Sequence, residues 1–250
     1  MANGFDPRAT ASPHTADKFG RESVAYDAGL RSYMLSVYNY MASGVLLTGI
    51  VALAMVATGA VQSLINPQTG SLSLLGYVLM FAPLGLVLWL SFGVNRMSTS
   101  TAKAVFFGYA GLLGASLSTL LLVYTGTSIA QTFFATAVAF GSLSLWGYTT
   151  KKDLSGWGSF LLVGLVGLIV ASIINMIWPS GPLGLAISAI GVLIFAGLTA
   201  YDTQKIKSMY FVVQGNGEAV AKSAIMGALT LYLDFINMFL FLLRFMGSRD

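Results

Sequence analysis

Three long stretches of this 250-residue chain, 32–95, 104–150 and 154–201, contain no charged residue. A membrane-spanning helix needs about 20 apolar residues, so each stretch is long enough for two spans. Charged residues make up only 9% of the chain, against about 25% in soluble domains. This composition excludes an ordinary soluble enzyme, a nucleic-acid-binding protein and a disordered chain.

Turn-like segments divide these stretches into helices, and the sequence therefore predicts an all-α integral membrane protein. The predicted spans are 34–61, 74–94, 104–124, 128–149, 158–178 and 182–201, with a seventh inside 222–246. Lys and Arg residues fall between pairs of spans, which places the N-terminus in the cytoplasm by the positive-inside rule. We expect 1–33 to form a disordered polar cytoplasmic tail and 34–248 a single transmembrane domain. The longest internal segment outside the membrane is expected at 203–221.

Two acidic residues lie in or beside the predicted spans. Asp202 ends the sixth span, and Asp234 lies inside the apolar run of the last one. A carboxylate at membrane depth costs roughly 2.5–3.5 kcal/mol on insertion scales, so it tends to be protonated, paired or in contact with water. Asp202 also has a simpler interpretation, as an interfacial acid that pairs with Lys205 or Lys207. Asp234 has no comparable cation beside it.

A pair of facing carboxyl groups would have two chemical properties. Asp202 and Asp234 could not both ionise freely at close range, so they would share a proton and act as a switch. They would also offer hard oxygen ligands of the kind that calcium prefers. Arg96, after the second span, is the candidate counter-charge that locks the pair. The sequence thus predicts a pH sensor and ion pathway at these three residues, with both acids as candidate calcium ligands.

The depth of the two acids leaves the number of spans open. Asp234 follows Lys222 by 12 residues, about 18 Å along a helix, whereas Asp202 is expected near the cytoplasmic face. The acids meet only if the last helix starts outside the membrane or the sixth span is displaced inward. Seven spans and six spans with a re-entrant last segment are therefore both retained.

Two motifs carry a resemblance to a known family. They are Tyr201–Ile206 (YDTQKI) and Leu231–Asn237 (LYLDFIN), and Leu242–Phe245 (LLRF) follows the second. Together with Tyr26–Arg31 (YDAGLR) near the start, they make residues 25–247 resemble the Bax inhibitor motif family. Within that family the chain is similar to the bacterial YccA-like branch.

The resemblance implies a fold and a function. It implies six transmembrane helices bundled around a hydrophobic seventh, C-terminal helix, in the bacterial inner (plasma) membrane. It also implies a pH-sensitive calcium leak through the membrane, gated by a proton-sharing aspartate pair that corresponds to Asp202 and Asp234, with Arg96 as the locking arginine. Some relatives carry an acid in the second span, but 74–94 contains none.

Bacterial relatives also suggest an alternative function, a non-conducting membrane modulator that interacts with a membrane-bound ATP-dependent protease. The partners expected from the resemblance are thus the lipid bilayer, the calcium ion and such a protease complex. A proton-coupled transporter of small solutes and a purely interacting membrane protein are further alternatives. Calcium flux that requires the two acids separates a leak from an interacting protein.

Enzymatic activity is not expected. The chain has no cysteine and its one histidine is His14, which excludes a histidine or cysteine metal site and an intramembrane serine protease. An intramembrane aspartyl protease would match Tyr201-Asp202, but its second motif needs a glycine immediately before the acid, where this chain has Leu233. No cofactor is expected, with calcium treated as the transported ion.

Overall fold

The computed structural model describes the backbone from residue 13 to 248 and the side chains from 28 to 248. The helices are α1 Pro13–Ala57, α2 Leu74–Gly93, α3 Thr99–Leu117, α4 Gly126–Thr149, α5 Trp157–Ile177, α6 Gly181–Val213 and α7 Gly217–Met246. This part of the chain contains no β-strand. All seven helices are long and apolar enough to cross a membrane, which confirms the predicted all-α membrane fold class. Length and composition therefore favour seven spans.

Two predicted boundaries differ from the observed ones. Helix α1 begins at Pro13 and includes 13–33, while residues 1–12 of the predicted tail lie outside the described residues. The segment 203–221, predicted to lie outside the membrane, is helical except for 214–216. The predicted end of the sixth helix at residue 201 was wrong, because the charges that follow were interpreted as the end of a helix, whereas charged side chains need not end one.

The turn between α6 and α7 explains how two long helices can follow each other so closely. Gly215 adopts a left-handed conformation, with φ of 96°, which glycine tolerates without strain. The Asn216 side chain accepts hydrogen bonds from the backbone N–H groups of Glu218 and Ala219, each at 3.1 Å, and caps α7. Glu218, in the first turn of α7, pairs with Lys222 one turn later at 2.8 Å.

Helix α7 is the most enclosed element. Of its most apolar window, 56% is buried, against 11–39% in the other six helices. It contacts α1, α3, α4 and α6, while α2 packs on α3 and α5 packs on α6. The resemblance places six helices around α7, and four of them have extensive contacts with it here.

Lysine and arginine side chains gather at the end of the molecule that carries the α6–α7 turn. We call it the basic end, and its cations are Arg31, Arg96, Lys103, Lys151, Lys152, Lys205, Lys207 and Lys222. Arg244 lies at the opposite end, near the last turn of α7. There the backbone N–H of Ser248 donates to Ser128 Oγ at 2.9 Å, so the end of α7 is fixed to the start of α4. The molecule therefore has a strong charge asymmetry between its ends.

A close approach of α4 and α6 provides a test of the helix packing. A Cβ at Gly147 of α4 would collide with the backbone carbonyl of Ala200 in α6. We expect Gly147→Leu to destabilise the protein by about 1–3 kcal/mol, because overpacking must push two backbones apart. The unfolding midpoint in detergent, followed by tryptophan fluorescence, measures the effect.

The matched control for this substitution lies on the same helix. A Cβ at Gly141 of α4 would have no atom within 4 Å, so Gly141→Leu adds the same side chain without the collision of its Cβ with a neighbouring backbone. We expect it to leave the midpoint close to that of the unsubstituted protein. Equal midpoints for the two leucine variants would contradict the α4–α6 contact.

Candidate functional site

A cavity of about 760 Å³ lies between α5, α6 and α7, and we call it the aspartate cavity. Most of its lining is apolar. The polar and charged side chains that line it are Ser172, Asn175, Asp202, Thr230, Asp234, Asn237 and Arg244. A few polar groups that converge in an apolar cavity of this size are typical of a binding site. The two acids identified from the sequence are thus brought to one place.

Asp234 is the most enclosed of these polar groups. Its side chain is only 4% exposed, and its Oδ2 atom has no hydrogen-bond partner among the described residues. A buried polar atom without a partner costs about 1–3 kcal/mol, and more when it carries charge. The Asp234 carboxyl group is therefore compatible with burial when it holds a proton or when water or a cation reaches it through the cavity.

Asp202 lines the same cavity from α6 and is half-buried. Asp202 interacts electrostatically with both Asp234 and Lys205. It forms no direct ion pair among the described residues, so Lys205 acts on the Asp202 carboxyl group at longer range. Asp234, in contrast, is enclosed by α7 and its neighbours.

The antiparallel arrangement of α6 and α7 accounts for the depth of the two acids. Asp202 lies 11 residues before Val213 and Asp234 lies 17 residues after Gly217. These positions are about 16 Å and about 26 Å from the connecting turn along straight helices. Because both helices extend well beyond the predicted span ends, neither acid is at a helix end. The extra length of α6 and α7 brings the two acids to within about 9 Å of the same depth along straight helices.

The cation that lines the aspartate cavity is Arg244, not Arg96. Arg96 is exposed, in a short 3-10 turn that follows α2, and it does not line the cavity. Within the described part of the chain, neither arginine forms an ion pair with an acid. The predicted arginine lock at Arg96 therefore stays a prediction without a contact in this structure.

Arg244 is the site residue that the sequence analysis missed as a member of the cavity. A signal for it was available, since Asp234, Asn237, Phe241 and Arg244 follow the i, i+3, i+7, i+10 spacing of one helix face. Arg244 also lines a second cavity of about 610 Å³ at the α5–α6 turn, together with Ser172 and Asn175. Arg244 therefore lies where the two cavities adjoin, between Asp234 and the end of the molecule opposite the basic end.

Comparison of this sequence with known families identifies a match over most of the chain. A family profile described as "Inhibitor of apoptosis-promoting Bax1" matches residues 30–250. The chain belongs to the Bax inhibitor family. The family membership expected from the two aspartate motifs is thereby confirmed.

Relatives of this Bax inhibitor family member are found across bacteria. An uncharacterized protein of Rickettsia prowazekii is 52% identical over 91% of this chain and 94% of its own length. The inner membrane protein YbhL of Escherichia coli is 45% identical over 93% of this chain and 99% of its own length. An uncharacterized membrane protein of Streptococcus pyogenes is 36% identical over 90% of this chain and 96% of its own length. None of these three names states an enzymatic activity.

In the first of the two motifs, Tyr201–Ile206, the residues that follow Asp202 fix α6 to its neighbours. Thr203 Oγ1 lies 2.9 Å from Ser144 Oγ of α4. The Gln204 side chain accepts a hydrogen bond from the Leu154 N–H at 2.8 Å and donates one to the Lys152 carbonyl at 2.8 Å. The motif therefore holds the helix that carries Asp202 against α4 and the α4–α5 loop, and this role was not evident from the sequence.

A residue of the second motif fixes α7 in the same way. The Tyr232 hydroxyl is fully buried and lies 2.6 Å from the Thr48 hydroxyl of α1. Thr48 in turn donates towards the Ala110 carbonyl of α3 at 2.9 Å. Since residues two apart point to different sides of a helix, Tyr232 contacts α1 and α3 while Asp234 lines the aspartate cavity.

Proposed function

We propose that this protein is a pH-sensitive cation leak of the membrane, with calcium as the favoured ion and Asp202 and Asp234 as the proton-sharing sensor. The observation that carries the proposal is the buried carboxyl oxygen of Asp234, which has no hydrogen-bond partner in the described part of the chain and lies in a cavity that a second acid also lines. A proton and a cation would compete for that oxygen. Such competition would make the rate of ion passage depend on pH, and no other charged group would need to move.

The composition of the aspartate cavity supports a weakly held, transported ion. The affinity of a calcium site depends on the number of charged ligands and on the rigidity of the site. Here the charged oxygen donors are the two carboxylates, and the other donors that line the cavity are the neutral side chains of Ser172, Asn175, Thr230 and Asn237. Among the described residues, no group of three acids or histidines comes together. A divalent ion would therefore bind loosely enough to leave again.

The charge asymmetry between the two ends of the molecule supports one orientation of the protein in the membrane. The basic end, with Arg31 and the lysines of the α4–α5 loop, is the cytoplasmic end by the positive-inside rule. The N-terminus is then cytoplasmic and the α5–α6 turn faces the other side. We extend to this chain the inner-membrane location stated in the name of the Escherichia coli relative.

Reconstituted protein tests the proposal directly. Liposomes that contain purified protein and a calcium indicator should take up calcium faster than empty liposomes, at a rate that changes between pH 6 and pH 8. Uptake no faster than in empty liposomes at every pH would rule out the leak. That result would favour the alternative, a non-conducting modulator of a membrane-bound ATP-dependent protease, which co-purification from native membranes would then examine.

A further inference from the structure

A separate cavity of about 430 Å³ lies at the basic end, between α1 and α4, and we call it the α1–α4 cavity. Each helix contributes one face to it. On α1 the lining residues Arg31, Met34, Leu35 and Tyr38 follow the i, i+3, i+4, i+7 spacing, and on α4 Gly141, Ser144, Leu145 and Tyr148 repeat it. The two helices therefore present matching stripes to each other across a gap.

The hydroxyl groups at the inner part of this cavity are already satisfied within the protein. Thr203 donates its one hydroxyl proton to the Thr199 carbonyl at 2.7 Å. The Ser144 hydroxyl must then donate to Thr203, at 2.9 Å, and the Tyr38 hydroxyl must donate to Ser144, at 2.7 Å. The Tyr38 and Ser144 hydroxyl protons are therefore both used within the protein, and the neighbouring Met34, Leu35, Phe140 and Leu145 side chains offer a ligand mainly apolar contact.

The outer part of the α1–α4 cavity is different. Arg31 lies at its mouth on the basic end and is exposed. Leu35 and Leu145, on the two sides of the gap, are 51% and 62% exposed, so the apolar wall opens towards the surrounding lipid. A cation at the mouth and an apolar interior match the two parts of a phospholipid, an anionic phosphate at the interface and an acyl chain below it.

We propose that the α1–α4 cavity binds an anionic phospholipid, with the phosphate on Arg31 and an acyl chain against Leu35, Phe140 and Leu145. The site is distinct from the aspartate cavity, which lies between α5, α6 and α7. The surplus of cations at the basic end favours an anionic lipid over a zwitterionic one by attraction at the surface. The lipid would brace α1 against α4 on either side of the Tyr38–Ser144 contact.

Native mass spectrometry of the purified protein with phosphatidylglycerol and phosphatidylethanolamine tests this site. Loss of a direct charge-assisted contact with the phosphate should lower phosphatidylglycerol binding at least about tenfold in Arg31→Gln, beyond the roughly fivefold loss that removal of any cation near the surface gives. Arg96→Gln is the matched control, because Arg96 is an exposed arginine at the same end that does not line the cavity. Equal binding in the two variants, or equal binding of the two lipids by the unsubstituted protein, would overturn the proposal.

A second variant tests the apolar part without changing charge. Gly141 lines the α1–α4 cavity, and a Cβ there would have no atom within 4 Å. Gly141→Leu should therefore fill the cavity and remove bound phosphatidylglycerol, while the protein stays folded. Gly108→Leu, at another helical glycine with open space around it, should retain the lipid. Retention by both leucine variants would place the lipid outside this cavity.

Discussion

Asp234→Asn is expected to abolish the pH dependence of calcium flux. Asparagine has the shape of a protonated aspartic acid but cannot release a proton, so the variant fixes position 234 in its uncharged form and leaves Asp202 without a partner to share a proton. Its flux at pH 8 should therefore equal the flux of the unsubstituted protein at low pH. The effect should be large because Asp234 is 4% exposed and its Oδ2 has no partner among the described residues.

Liposome uptake of calcium across pH 6 to 8 measures this result. The groups that face Asp234 are Asp202, interacting with Lys205, on α6 and Arg244 on its own helix. Asp202→Asn should also reduce the pH dependence, since the proposed sensor is the pair. A pH profile that survives in both variants would assign the sensing to other groups.

An acid outside the spans supplies the control. Asp153, in the α4–α5 loop, accepts a hydrogen bond from the Ser155 N–H at 2.8 Å. Hydrogen bonds from the Ser155 side chain and backbone lower the pKa of Asp153, so it stays ionised throughout pH 6 to 8. Asp153→Asn makes the same chemical change at the basic end and should leave the pH profile unaltered.

The sequence was sufficient for the fold class, and it singled out the two acids that line one cavity. Charge-free stretches identify spans because charge is costly in lipid, and the same cost makes Asp202 and Asp234 stand out. Helix ends were predicted less well, because Asp202, Lys205 and Lys207 were taken to end a helix that continues to Val213. A charged helical residue can lie at a cavity or at the interface, and composition alone does not distinguish these positions.

The neighbours of the acids could not be predicted with the same reasoning. Arg96 was chosen as a counter-charge from its place at a span end, but proximity depends on how helices rotate and pack. The rotation of α7 is set by the Tyr232–Thr48 contact across 184 residues of sequence. Similarly, the Gln204 contacts with the α4–α5 loop and the Gly147–Ala200 approach become visible only once α4 and α6 are side by side.

Arg244→Gln is expected to increase cation flux, and to do so more for calcium than for potassium. Arg244 lines the aspartate cavity and the second cavity at the α5–α6 turn, so a cation that approaches Asp234 from that end passes a positive charge. Arg244 is ten residues from Asp234, about 15 Å along α7. At an effective dielectric constant of about 20, the repulsion is about 1 kcal/mol for each unit of charge on the ion.

The valence of the ion makes this prediction specific. Removing the Arg244 charge should raise the occupancy of a cation near Asp234 by at most about sixfold for potassium and about fortyfold for calcium. The comparison should be made at about 10 mM ionic strength, where the Debye length of about 30 Å leaves the interaction unscreened. Arg244→Lys keeps the charge and should behave like the unsubstituted protein. Equal increases for the two ions would mean that Arg244 obstructs the path by its size, because only an electrostatic barrier scales with the charge of the ion.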